Sequence, residues 1–174
     1  MRTIEPIVRW DVAFSLFCLR SRYCNQSAMV SKAISHTGDG HLYLLFGVLA
    51  LFVDSQYGKD FLMVGLTAFA IELPIYWLAK NTLKRRRPAE FSELLQSHIV
   101  PSDKYSLPSG HSAAAFLMAT VIGHFYPSLY PACLVWAFAI GTSRILLGVH
   151  FLTDVLIGAA LGIACANLAI NSVL

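Results

Sequence analysis

The chain has 174 residues, of which 56% are hydrophobic and only 13% charged, with a net charge of +3 and a mean hydropathy of +0.61. A water-soluble fold of this size has no interior large enough to hide so much apolar surface, and the charged share is about half that of an ordinary soluble protein. Composition therefore excludes a soluble globular domain. It predicts an all-α integral membrane bundle in a single domain, with residues 1–40 as interfacial N-terminal helices and 41–174 as the transmembrane core.

In chain order, 7–19 mixes Arg9 and Asp11 with Val12, Phe14, Leu16 and Phe17, and 28–34 is weakly amphipathic. Both read as helices lying in the membrane interface, with Arg20 and Arg22 at headgroup level. No cleavable signal peptide is expected, because the apolar run 12–19 is short and lacks a clear small-residue cleavage site. The apolar segments themselves direct insertion. A bilayer core of about 30 Å needs roughly 20 apolar residues in helical form. Four segments approach this: 61–79, 112–126, 130–147 and 151–174. A fifth, 41–53, is short and extends backwards through Ser35 or inserts with local thinning. This gives about five spans, or six if residues 6–28 also cross.

Several single residues stand out along the way. Gly38-Asp39-Gly40 reads as a turn and helix start, with Asp39 either capping or helping to hold the basic loop. Glu72 is an acid at membrane depth, two turns and about 12 Å from Lys80, and is expected to pack or hydrogen-bond inside the bundle. Pro74 predicts a kink. Tyr76 and Trp77 suit an interfacial aromatic belt. Cys18, Cys24, Cys133 and Cys165 lack metal-type spacing. The last two read as small buried hydrophobes, and a Cys18–Cys24 disulfide is conceivable only in an oxidising compartment.

Alternating spans bring the end of 61–79, the start of 112–126, the end of 130–147 and the start of 151–174 to one membrane face. That turns three separated strings into one candidate site: Lys80 with Arg87-Pro88, Pro108-Ser109-Gly110-His111, and Ser143-Arg144 with His150 and Asp154. His150 and Asp154, four apart, share a helix face, so the carboxylate can fix the imidazole tautomer and leave the other nitrogen as a nucleophile toward phosphorus. The bland alternative is a helix-start His beside a structural Asp. His111 at a helix start can serve as general acid and base, with Ser109, Gly110 and the helix N-terminus offering donors to an anion; otherwise it is an exposed histidine on a cap turn. Lys80, Arg87 and Arg144 can neutralise phosphate oxygens, and an arginine in a span is costly unless it has such a task. Ser143 can bond the same phosphate or merely satisfy backbone. Lys84, Arg85 and Arg86 are read either as a solvated juxtamembrane loop or as attraction for anionic headgroups. His36, His41, His98 and His124 fall outside the motifs and are assigned interface or loop roles. No metal and no cofactor is required by this scheme. Nucleic acid is not an expected partner, since no binding module accompanies the basic block.

The three strings, Lys-x6-Arg-Pro, Pro-Ser-Gly-His and Ser-Arg-x5-His-x3-Asp, together resemble the signature of the type 2 phosphatidic acid phosphatase superfamily, without departure from Lys80 to Asp154. The resemblance implies a helical bundle and a metal-free phosphohistidine mechanism. It makes His150 the nucleophile, Asp154 its orienter and His111 the general acid, with Lys80, Arg87, Ser109, Gly110 and Arg144 as the phosphate cradle. It further implies a membrane lipid phosphatase, with the site facing the periplasm of a bacterial inner membrane. The short stretch 84–107 leaves little to cover a large headgroup. Undecaprenyl diphosphate is therefore expected first and phosphatidylglycerol phosphate next. The alternatives are a lipid phosphotransferase using the same site and a non-enzymatic lipid-phosphate binding or transport protein. Nearly all Lys and Arg lie at the site end, with little beyond Lys59 opposite, so the positive-inside rule favours the other orientation.

Overall fold

The structure, a computed structural model, describes residues 5–20, 24–92, 94–101 and 103–174. Arg22 and the Cys24 side chain, on which parts of the interfacial and disulfide readings rest, lie outside the described residues. Everything regular among the described residues is helical. The helices are α1 (Glu5–Leu19), α2 (Cys24–His36), α3 (Gly40–Val53), α4 (Gly58–Leu83), α5 (Gly110–Phe125), α6 (Tyr130–Leu146) and α7 (Leu152–Val173), with short 3-10 turns at Pro88–Glu90 and Pro127–Leu129.

By length and composition α4, α6 with its preceding turn, and α7 can each cross a bilayer, and α2 with α3 forms a fourth candidate bent by 41° at the break between them. The apolar stretch 41–53 is thus lengthened backwards, as its shortness requires, but by a bent partner rather than a straight extension. α4 continues through Pro74 in one helix of 26 residues. α5 has only 16 residues, about 24 Å at 1.5 Å per residue, less than a lipid-exposed crossing needs. It can be short because it meets protein on most sides, with Ala113, Leu117, Ala119 and Val121 wholly buried. The lipid face is borne by its neighbours, which turn Trp77 and Leu78 of α4, Val135 and Phe138 of α6, and Leu156 and Leu168 of α7 outward. Such exposure would be a liability in water and is the ordinary outer surface of an integral membrane protein.

The centre is built from small residues. A Cβ on Gly162 of α7 would lie 2.0 Å from the Ala113 carbonyl oxygen of α5, and one on Gly158 would lie 2.5 Å from that of Ser109. These two positions admit only glycine and let α5 and α7 approach backbone to backbone, the means by which membrane helices gain dispersion contact without a hydrophobic drive. At the site end the Ser109 N–H donates to the Asp154 carbonyl at 3.1 Å, joining the two helix starts. α1 and α2 dock at this same end, with Trp10, Phe17 and Met29 facing outward. Cys165 is buried and Cys133 half-buried, both free thiols, in keeping with their reading as small apolar fillers.

Candidate active site

The turn between α6 and α7 carries His150. The Val149 and His150 N–H groups both reach the Arg144 carbonyl at 3.3 Å, which closes the end of α6. Asp154 lies in the first turn of α7, where one carboxylate oxygen accepts the Phe151 N–H at 2.8 Å and so caps the helix start. The other accepts from Arg85 at 2.7 Å. The capping geometry aims the first oxygen at His150 Nδ1, 3.7 Å away. That is close for charge attraction but longer than a hydrogen bond. Nδ1 is buried and has no hydrogen-bond partner among the described residues. Nε2, across the ring, is the nitrogen turned away from the carboxylate. Burial drives the imidazole down to about 4, with Asp154 pulling it up and the Arg144 and Arg87 charges pushing it further down. His150 is therefore neutral near pH 7, the form that carries a nucleophilic lone pair.

Across the cavity, Ser109 caps α5. Its hydroxyl accepts from the Ser112 N–H at 3.4 Å and pairs with the Ser112 hydroxyl at 2.9 Å. His111, two residues later in the first turn of α5, sets Nε2 at 2.9 Å from Asp39 Oδ1. Asp39 makes no side-chain cap for α3. Its other oxygen faces His36 Nδ1 at 2.5 Å and His41 Nε2 at 3.9 Å. Burial works to raise the Asp39 carboxyl, but the His111 and His36 bonds and charges outweigh it and hold it below the ordinary carboxylate range. The Asp39 turn thus belongs to the site, and His36 and His41 reach it through that carboxylate.

The cations are held by an acid that sequence inspection did not single out. Asp103, in the segment before α5, accepts from Lys80 at 2.5 Å and from the Tyr76 hydroxyl at 2.7 Å, and its second oxygen pairs closely with Arg87. Burial works to raise this carboxyl too, but the Lys80 and Tyr76 hydrogen bonds and the Lys80 and Arg87 charges hold it down. Arg87 also donates to the Val149 carbonyl at 2.6 Å and the Tyr105 carbonyl at 3.1 Å, lacing three segments together. Arg144 donates to Ser35 Oγ at 2.6 Å, while its Nε is buried without a partner among the described residues. Ser143 donates to the Ile140 carbonyl at 2.6 Å, taking the backbone option.

Lys80, Arg87, Gly110, His111, Arg144 and His150 all line one cavity of about 490 Å³. Ser109 and Asp154, both fully buried, lie behind this lining. Among the described residues no group of three His, Cys, Asp or Glu is placed to hold a metal ion. Within the basic block, Arg85 is no solvated loop residue. It bridges Asp154 and Asp11 of α1, the latter at 2.6 Å, and lies 4.4 Å from the Phe151 ring centroid. Asp11 also accepts from the Thr153 N–H at 3.2 Å. Arg86 and Lys84 stay exposed, Arg86 over the Phe91 ring at 5.5 Å. The one sequence signal for this arrangement was Asp11 itself, an acid inside an otherwise apolar run.

With this geometry in hand, comparison with known proteins gives three findings. A family model described as the PAP2 superfamily matches residues 57–174. A decaprenylphosphoryl-5-phosphoribose phosphatase of Mycobacterium tuberculosis (strain CDC 1551 / Oshkosh) is 29% identical over 161 residues, covering 91% of this chain and 88% of the relative. Two crystal structures superpose closely. Aquifex aeolicus LpxE gives a TM-score of 0.80 at 25% identity, over 93% of this chain and 95% of that one. A PAP2-type phosphatidylglycerolphosphate phosphatase from Bacillus subtilis gives 0.77 at 26% identity, over 98% and 89%.

Proposed function

The chain belongs to the PAP2 superfamily, and from that premise we propose that this membrane phosphatase removes the terminal phosphate of a lipid phosphate through a phosphohistidine. That it is a PAP2-type phosphatase acting on lipid phosphates follows from the family and from relatives and neighbours that are themselves such phosphatases. The finer reading is supported by one observation above all. Two histidines, each beside a carboxylate, face one cavity with Lys80, Arg87 and Arg144.

In the proposed sequence the His150 Nε2 lone pair forms a bond to phosphorus while the bond from phosphorus to the lipid oxygen breaks. His111 gives that oxygen its proton; burial and the Arg144 charge hold its imidazole below the ordinary value, and the Asp39 hydrogen bond and charge work the other way to favour the protonated form. Water then attacks phosphorus and yields a proton to His111, and the N–P bond breaks to return the lone pair to His150. Lys80, Arg87 and Arg144, with the Gly110 backbone at the α5 N-terminus, neutralise the oxygens of the transferring group. Ser109 contributes by capping α5, and Asp154 by orienting His150. Arg144 Nε, unpartnered and buried, is the donor best suited to a phosphate oxygen.

The substrates proposed are undecaprenyl diphosphate and phosphatidylglycerol phosphate, both with small heads, and the site is proposed to face the periplasm of a bacterial inner membrane. His150→Ala is expected to abolish phosphate release, and His111→Ala to lower it at least about 100-fold, while both variants insert and fold. Substantial turnover by the His150 variant would remove it as the nucleophile. Vanadate is expected to inhibit and EDTA to have no effect; strong loss with chelator would contradict the scheme.

A further inference from the structure

Asp11 is an enclosed acid, 3% exposed, on a helix whose Trp10 and Phe17 face outward. It shares the buried stripe of α1 with Ser15 and Leu19, one and two turns on. One of its oxygens accepts the Thr153 N–H at 3.2 Å. The other accepts from the Thr153 hydroxyl and, at 2.6 Å, from Arg85 Nη2. Asp11 does not line the cavity of His111 and His150. A leucine in its place would dock α1 without the cost of taking a charge out of water, so anchoring alone does not account for an acid here.

Arg85 carries this contact to the site. Its fork is divided between two acids, Nη2 going to Asp11 and Nη1 to Asp154 Oδ1 at 2.7 Å. Nη1 also donates to the Thr153 hydroxyl at 2.6 Å. The residue has little room to shift, because its carbonyl accepts the Ser106 N–H at 2.9 Å and its guanidinium lies over the Phe151 ring. A guanidinium beside a carboxylate readily takes both oxygens at once. Here Asp154 gives Arg85 only Oδ1. Oδ2 remains on the Phe151 N–H at 2.8 Å and stands 3.7 Å from His150 Nδ1. With Nη2 engaged by Asp11, Arg85 does not compete for Oδ2.

We infer that Asp11 is a positioning residue for the proposed nucleophile: it occupies one arm of Arg85, so that Asp154 keeps an oxygen free to face His150. The inference rests on the phosphohistidine reading above. Without Asp11, Arg85 closes on both Asp154 oxygens, Oδ2 leaves the Phe151 N–H, and His150 loses the carboxylate that orients it. The helix α1 thereby acts on the chemistry without touching substrate. The charge of Asp11 taken alone predicts the opposite effect, since removing an anion near the cradle would favour an anionic substrate.

The test is a double-mutant cycle on the purified full chain in detergent micelles, with the fastest of phosphatidate, undecaprenyl diphosphate and p-nitrophenyl phosphate as substrate. Asp11→Ala is expected to lower kcat about tenfold, with KM and the inhibition constant of inorganic phosphate held within about twofold, because the cradle is left intact. Asp11→Asn keeps an acceptor for Arg85 and is expected to lose only about threefold. In the Arg85→Ala background, where there is no fork to hold, Asp11→Ala is expected to cost no more than about twofold. A second loss of the full size in that background overturns the inference, since Asp11 would then act independently of Arg85. So does a wild-type kcat for Asp11→Ala, or a loss carried wholly by KM and the phosphate constant. If Asp11→Ala does not fold, Asp11→Asn takes its place in the cycle, and its smaller loss must vanish in the Arg85→Ala background. A wild-type chain that cleaves none of the three substrates, or a fully active His150→Ala variant, removes the phosphohistidine reading and this inference with it. An additive cycle in an enzyme that still depends on His150 removes only the inference.

Discussion

Asp103 holds two of the three cations proposed to receive the phosphate, and it holds them tightly, with both oxygens engaged by Lys80, Arg87 and Tyr76. An entering phosphate competes with this internal carboxylate, so its apparent affinity is reduced by the fraction of time the cradle is occupied. Asp103→Asn is expected to tighten vanadate inhibition about threefold or more and to lower Tm, because two buried cations lose a counter-charge. Weaker inhibition by vanadate would show that Asp103 assists binding instead. Arg85 acts at one remove from the chemistry: it fixes Asp154, and Asp154 faces His150. Arg85→Ala should lower kcat about 10- to 100-fold with little change in KM, as misplacement of a reacting group does. Arg85→Lys should recover part of the loss, whereas a purely structural role would move Tm and leave the kcat-against-KM pattern mixed. His150 contributes a pH signature. Its folded value lies near 4, below the ordinary imidazole value, so it takes up a proton and loses its lone pair only as pH falls toward 4. Phosphoenzyme trapped by rapid quench should persist at about pH 5; a midpoint near 6.5 for its formation would contradict the burial argument.

At the scale of elements, the pairing of α5 with α7 decides whether the two histidines meet. Gly162 and Gly158 allow that approach, and the Ser109–Asp154 backbone bond registers the two helix starts. Gly162→Val forces side-chain carbons against the Ala113 carbonyl and should cost about 1–3 kcal/mol, seen as a lower Tm in detergent together with reduced turnover. An unchanged Tm would mean that the helices separate without penalty. The cap before His111 was legible in sequence, because it depends only on local helix geometry; His150, expected on one helix face with Asp154, lies instead in the turn before α7, and the helix-capping carboxylate of Asp154 is what faces it. The break between α2 and α3 was legible as Gly38-Asp39-Gly40, but its use was not. Whether an aspartate caps its own helix or reaches a histidine 72 positions away depends on which helix lies opposite.

At the scale of the molecule, Lys80, Arg85, Arg87 and Arg144 gather at the site end, and Lys59 stands at the far end of α4. Much of that positive charge is absorbed internally, Arg85 by Asp11 and Asp154, and Lys80 and Arg87 by Asp103. With the site proposed to face the periplasm, a cysteine placed at Arg86 should react with a membrane-impermeant thiol reagent in intact cells, and one at Lys59 only after permeabilisation. The reverse pattern would assign the orientation that the positive-inside rule favours. By itself the sequence determined the membrane class and the helical bundle, and it brought the three motif strings to one end of the molecule, since these follow from apolar run length, helix period and the direction of alternating spans. Only the tertiary structure decided that α5 can be short, that Asp39, Asp103 and Arg85 join the candidate site, and that Tyr43 and Glu72 line the same cavity as the two histidines. Each of those depends on which side chains distant segments bring into contact, and neither local propensity nor periodicity encodes that.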